Sequence, residues 1–161
     1  MFNSFHLLFT DCWNITKGNK IQKLHNWGEI YKVEFDLTIE TRVPSGTKNA
    51  YNFIAPNTRI PALWINNNYL SFRSSVNGDG DYSTDVNYEI EKTYQIVQHQ
   101  FIENGKYWYE IIIDGVSILK MENTQPTSYS SVTVFASDNP HDPFSSDLGS
   151  ICNIKIQQGK G

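Results

Sequence analysis

The stretch VNGDGDYSTD, residues 76–85, places three aspartates and two glycines within ten positions. Calcium takes six to eight oxygen ligands from carboxylates, carbonyls and water. Asp79, Asp81 and Asp85 are spaced like the first, third and seventh positions of a calcium loop, with Ser83 between them. An EF-hand is nevertheless excluded. Thr84 stands where the central glycine belongs, Ile90 where the bidentate glutamate belongs, and no helical pattern flanks the segment. A second acidic stretch, DNPHDPFSSD at residues 138–147, supplies Asp138 and Asp142. Loops far apart in sequence meet at one end of a two-sheet fold, so Asp79, Asp81, Asp138 and Asp142 form a candidate Ca2+ rim site. The competing reading is a solvated hairpin turn, in which Asn77-Gly78 and Asp79-Gly80 supply the positive φ a tight turn needs.

Other residue sets suggest other chemistry. Glu34 and Asp36 lie two apart on an alternating segment and so share a face. Retaining glycosidases use two carboxyl groups about 5–5.5 Å apart, but Thr38 stands where a third acid would extend the pattern. The pair then only solubilises an open sheet face. No glycine-rich phosphate loop, Ser-His-Asp order or Cys-His arrangement is readable, and the four histidines lack the close spacing of a zinc site. The aromatics are more informative. With Ile111 and Ile113 inward, alternation turns Trp108 outward; with Leu63 and Ile65 inward, it turns Trp64 outward. An outward indole stacks on a sugar or anchors a protein contact, or else it packs under another segment. Arg59, Arg73 and Asn77 are the polar donors expected beside these rings.

The elements that must position these residues repeat with period two. Residues 31–40, YKVEFDLTIE, alternate throughout, with Val33, Phe35, Leu37 and Ile39 on one face. Further strands are read at residues 50–54, 60–65, 69–76, 88–94, 94–101, 107–113, 116–119, 131–136 and 151–156, divided by Gly, Asn and Pro turns such as Asn66-Asn67-Asn68 and Glu103-Asn104-Gly105-Lys106. No window of twelve residues carries a helical stripe. Roughly ten short strands predict two packed antiparallel sheets in one domain spanning residues 1–161, with residues 157–161 fraying as a tail.

Composition narrows the partners. Hydrophobic residues at 39% and charged residues at 19% describe a globular chain. Thirteen basic residues against 17 acidic ones leave no basic stripe to neutralise phosphates, which argues against nucleic acid. No run approaches eighteen apolar residues, so no transmembrane helix is expected. The start, MFNSFHLLFT, lacks a basic region and a small-residue cleavage site; it reads as a first strand or as a start left by trimming a larger protein. Cys12 and Cys152 lie near opposite ends. First and last strands often neighbour each other in a sandwich, which leaves a bridge open to them, although two cysteines alone do not decide the redox compartment. The sequon Asn14-Ile15-Thr16 points toward the outside of the cell.

Several segments together resemble a known group: KVEFDLTI at 32–39, RIPALWI at 59–65, FRSSVN at 72–77, NGKYWY at 104–109 with IDG at 113–115, and VFASD at 134–138. They are similar to the concanavalin-like jelly roll of legume lectins, galectins, pentraxins and laminin G-like domains, in which a Trp-led apolar strand ending in Asp-Gly recurs. The resemblance implies an all-β, two-sheet antiparallel jelly-roll sandwich, a binding role toward glycans, receptor ectodomains or matrix proteins, a rim calcium in some members, and paired end strands that suit a Cys12–Cys152 bridge. The galectin His-x-Asn-x-Arg pattern and the legume-lectin metal cluster are absent. The reading is a non-catalytic, secreted or cell-surface recognition module that binds carbohydrate on glycoproteins or cell surfaces. The alternatives are a cell-adhesion or receptor-ectodomain module that binds an extracellular protein without sugar affinity, and a glycoside hydrolase of the same fold.

Overall fold

The computed structural model describes residues 5–43, 45–56, 58–137 and 148–159. Twelve strands are formed among them: β1 (Phe5–Asn14), β2 (Lys20–Trp27), β3 (Ile30–Ile39), β4 (Lys48–Ala55), β5 (Thr58–Ile65), β6 (Tyr69–Val76), β7 (Asp79–Asn87), β8 (Thr93–Glu103), β9 (Lys106–Ile113), β10 (Val116–Glu122), β11 (Tyr129–Phe135) and β12 (Gly149–Gly159). They build two six-stranded antiparallel sheets. The first runs β1-β12-β3-β8-β9-β10 and the second β2-β11-β4-β5-β6-β7. The chain is therefore an all-β, two-sheet sandwich, as the alternation requires.

Tyr31, Val33, Phe35, Leu37 and Ile39 of β3 are all buried while the residues between them stay partly open. They meet β4 across the gap, where the Phe35 and Tyr51 rings lie 4.8 Å apart edge to face, a geometry the ring quadrupoles favour. Trp27 closes one end of the core, its ring 5.3 Å from both Tyr31 and Phe53. Polar residues also enter this interior, each with a partner. Gln98 donates to the Tyr109 hydroxyl at 2.8 Å, and Asn123 donates to Gln100 at 2.6 Å. These bonds offset part of the desolvation of the buried amides, although the Gln98 carbonyl oxygen is buried without a partner.

The structure corrects several local expectations. The stretch 76–85, expected as a hairpin turn or a calcium rim, instead runs mostly into edge strand β7: Asn77 and Gly78 make the turn with φ of 54° and 81°, and the chain then alternates outward Asp79, Asp81, Ser83 and Asp85 against Tyr82, Thr84 and Val86. Gly and Asp are poor strand formers, and pairing with β6 overrides that preference. Tyr88 to Lys92, taken for strand, is the turn between β7 and β8, with Glu91 at φ 62°. β2 escaped notice because it buries Ile21, Leu24 and Trp27 at every third position, a pattern that imitates neither a regular strand nor a full helical face.

Gln157, Gln158 and Gly159 do not fray. They continue the ladder opposite Lys32, Tyr31 and Ile30. Gly28 donates its N–H to the Gln158 side chain at 3.3 Å, and a Cβ at Gly28 would collide with the Gly159 carbonyl oxygen. The link from β2 to β3 is thus sutured to the end of β12. Cys12 stands opposite Cys152 in the β1–β12 ladder, and the two are joined in a disulfide with Cα atoms 4.1 Å apart.

Candidate functional site

Three surfaces carry the residues with chemistry. On the outer face of the second sheet, Arg59 and Trp64 of β5 meet Arg73 of β6 and Asp81 of β7. Trp64 points away from the core, as inward Leu63 and Ile65 dictate, yet it is only 2% exposed. The guanidinium carbons of Arg59 and Arg73 lie 4.7 and 4.8 Å from its ring centroid. Of the two readings open to an outward indole, the structure shows the covered one: two cations lie over the ring and gain from its quadrupole. Each arginine also bridges one oxygen of Asp81, at 2.9 Å for Arg59 and 3.0 Å for Arg73. Three of the expected binding residues and one expected calcium ligand therefore converge, on one another.

Asp81 would have to release both arginines to bind a cation. Its N–H is held by the Asp79 carboxylate at 2.9 Å. Asp138, Asp142 and His141 lie outside the described residues. Among the described residues, no three His, Cys, Asp or Glu side chains converge in a metal-binding group. Asn77 serves the β6–β7 turn. Its side-chain amide donates to the Glu122 carbonyl at 3.1 Å, and its side-chain oxygen accepts the Thr124 N–H at 2.7 Å, tying the second sheet to the segment that follows β10.

The second surface is the outer face of the first sheet. β8 and β9 form a hairpin whose register sets Phe101 opposite Trp108 and His99 opposite Glu110. The His99 ring stacks on Phe101 at 4.6 Å with planes 21° apart. Lys120 of β10 reaches over both Phe101 and Trp108, 5.2 Å from each ring, and its Nζ is held by Glu103 at 2.8 Å. Trp108 is half-buried and donates weakly to the Glu103 carbonyl at 3.4 Å. An aromatic strip thus lies on a partly open sheet face, bordered by the paired charges of Glu103, Lys106, Glu122 and Lys120. Glu34 and Asp36 share this face but are engaged: Glu34 pairs with Lys32 at 3.0 Å and Asp36 accepts the Asn153 amide at 2.8 Å.

His99 and Glu110 are joined at 2.8 Å. Burial pushes the His99 pKa below its ordinary 6.5, outweighing the pull of Glu110 in the other direction. For Glu110, burial pushes up, but hydrogen bonds from Ser117 and His99 and the nearby positive charge prevail, and its pKa falls below 4.5. Both folded-state values are depressed, so the folded protein binds fewer protons than the unfolded chain. The stability from His99 is present above about pH 6.5 and lost as pH falls below it; that from Glu110 is lost below about pH 4.5. Urea unfolding at stepped pH should show stability declining already between pH 7 and pH 5, and His99→Gln should flatten that first decline. An unchanged slope in the variant would remove His99 as its source.

The third surface is a cleft of about 450 Å³ lined by residues 26–29 and 128–130. It lies where β2 turns into β3 beside the start of β11, with Tyr129 opposite Trp27 in the ladder. Glu29 is fixed at its wall: its carboxylate accepts the Tyr107 hydroxyl at 2.6 Å and its carbonyl accepts the Gln100 amide at 2.6 Å. The bond to Glu29 leads the causes that raise the Tyr107 pKa. Sequence reasoning missed this site, since its two segments lie about a hundred residues apart and neither carries a motif. Phe101 and His99 were legible in principle. The Asn104-Gly105 turn sets which residue faces which across the hairpin, and Phe101 is as far before it as Trp108 is beyond it.

Fold and surfaces together define a β-sandwich with an aromatic strip and a polar cleft. No known family and no curated protein matches the sequence. Solved structures do match the fold. Among botulinum neurotoxin structures, the type D receptor-binding domain aligns with TM-score 0.63 at 12% identity, over 96% of this chain and 44% of that one. A type C structure, described as showing that cell entry depends on interaction with two ganglioside molecules, aligns with TM-score 0.57 at 16% identity, over 96% and 43%. The heptameric SAP-like pentraxin of Limulus polyphemus aligns with TM-score 0.57 at 13% identity, over 94% and 68%. A sialidase aligns with TM-score 0.53 at 16% identity, over 84% of this chain and 14% of that one. The chain spans less than half of the neurotoxin domains and about one seventh of the sialidase. At these identities the likeness is one of fold, and a shared fold does not by itself set a function.

Proposed function

We propose that this chain is a non-catalytic, extracellular recognition module of the concanavalin-like class that binds carbohydrate. The observation that carries the reading is the Phe101–Trp108 strip on the open face of the first sheet, with His99 stacked at one end. Sugar rings present patches of C–H that pack on such aromatic faces, while their hydroxyls exchange bonds with flanking charged groups. Lys120 and Glu103 supply a donor and an acceptor at the right border. The disulfide supports an oxidising compartment, and the neurotoxin type C structure offers an analogy for glycan contact on a related fold.

The engaged state of Glu34 and Asp36 weighs against a glycosidase reading, since each already has a partner. A rim calcium shared by Asp79, Asp81, Asp138 and Asp142 stays part of the proposal only as a separable arm. A glycan array run with millimolar calcium and again with EDTA separates them. Binding through the aromatic strip persists in EDTA and falls at least about tenfold in Trp108→Ala, the loss expected when a central aromatic anchor is truncated. Binding that vanishes in EDTA and survives Trp108→Ala would move the site to the acidic residues. No binding under either condition would favour a protein ligand for the same strip.

A further inference from the structure

We propose that the cleft lined by residues 26–29 and 128–130 is a second ligand site, separate from the aromatic strip, and that it takes a neutral sugar ring. The inference rests on the proposed function for its ligand class and departs from it in the site. The volume of about 450 Å³ is that of a small-molecule pocket. Its lining is chemically mixed in the way a pyranose requires. Ser128 and Ser130 present exposed hydroxyls, each able to donate and accept, and Tyr129 offers a half-buried ring. Among the described residues, Glu29 is the one charged residue of the lining. Tyr107 takes up one of its oxygens, and the carboxylate keeps acceptor capacity for a vicinal pair of hydroxyls.

Two further features support a ligand here. Trp27 is 1% exposed, and its indole N–H is buried without an acceptor. Of the buried polar atoms left unpaired among the described residues, this one belongs to a residue that lines the cleft. Its residue borders the cleft, so a ligand seated there changes the surroundings of an indole N–H that has no internal bond to lose. The wall is also tied to its neighbours. Gly28 abuts the Gly159 carbonyl, and Glu29 is held by Tyr107 and Gln100 from the neighbouring sheet strands. A preformed wall spares the ligand the cost of ordering it. Among the described residues the lining carries one carboxylate and no cation, which favours hydroxyl-rich neutral rings over phosphorylated, sulfated and sialylated ligands.

The test uses the whole chain, labelled with nitrogen-15 and titrated with a panel of methyl hexopyranosides, methyl N-acetylhexosaminides and a methyl sialoside. The Trp27 indole resonance and the amides of residues 128–130 should shift and saturate with at least one neutral glycoside, and the sialoside should leave them still. Ser130→Trp, which fills the cleft from an exposed position, should weaken that response by about tenfold or more while the strip still binds. Trp108→Ala should leave it unchanged. Shifts confined to the strip would overturn the cleft proposal and spare the proposed function. Shifts at the cleft that persist in Ser130→Trp, or a preference for the sialoside, would overturn it too. Silence at both sites would remove the sugar reading as a whole.

Discussion

Replacing both Cys12 and Cys152 by serine should lower the unfolding free energy by about 4–5 kcal/mol, the value the chain-entropy model assigns to a very long closed loop. The bridged residues are 140 positions apart, so the cross-link constrains nearly the whole unfolded chain. β1 also depends on it locally. It is an edge strand bonded to β12 alone, and its ladder is interrupted by a register shift between Phe9 and Cys12. The bridge sits just beyond that irregularity. Against a typical total of about 5–15 kcal/mol, such a loss removes a large share of the stability. Urea denaturation should show a midpoint lowered by roughly 2 M, taking a slope of about 2 kcal/mol per molar, and reductant should reproduce it in the unmodified chain. A shift corresponding to less than about 1 kcal/mol would mean that the β1–β12 ladder carries the termini unaided.

Trp64→Ala should cost about 3–5 kcal/mol, the range for truncating a large buried aromatic. The indole is almost fully covered, with the guanidiniums of Arg59 and Arg73 over its ring and β4 and β6 alongside. Its removal leaves two guanidiniums that had been positioned by the ring, and the Asp81 bridges then rest on flexible side chains. Those bridges, partly exposed to solvent, contribute little alone. Trp64→Phe, which keeps an aromatic face under both cations, should recover most of the loss. The pair of variants separates two roles for Trp64. A structural role predicts a lowered melting transition with glycan binding at the strip intact in the phenylalanine variant. An unchanged transition together with lost binding would return Trp64 to a ligand site.

Trp64 and Trp108 also show how far a linear reading extends. Alternation set each indole on the outer side of its strand, and both lie there. Alternation could not say what would lie on top of them. Trp64 is roofed by arginines from its own strand and the next, whereas Trp108 keeps a partly open face under one lysine. The difference arises from strand neighbours. Arg73 reaches Trp64 because β6 pairs with β5 at a particular register, and Asp81 reaches both arginines because β7 follows.

Properties that depend on adjacent residues were legible along the chain. The period-two burial of β3, the Asn104-Gly105 and Asp114-Gly115 turns at positive φ, and the all-β sandwich are of that kind. Even there, composition misled at β7, where aspartate and glycine concealed an alternation of Tyr82, Thr84 and Val86 that the β6 ladder makes use of. Only the tertiary structure decided which distant groups meet. The Asp81 carboxylate went to two arginines, Glu29 met Tyr107 from β9, and a cleft opened between the β2–β3 link and the start of β11. The physical reason is range. Side-chain direction follows from backbone geometry within a few residues, but contact between sites a hundred residues apart follows from sheet order and register, which are set by the packing of the two sheets together.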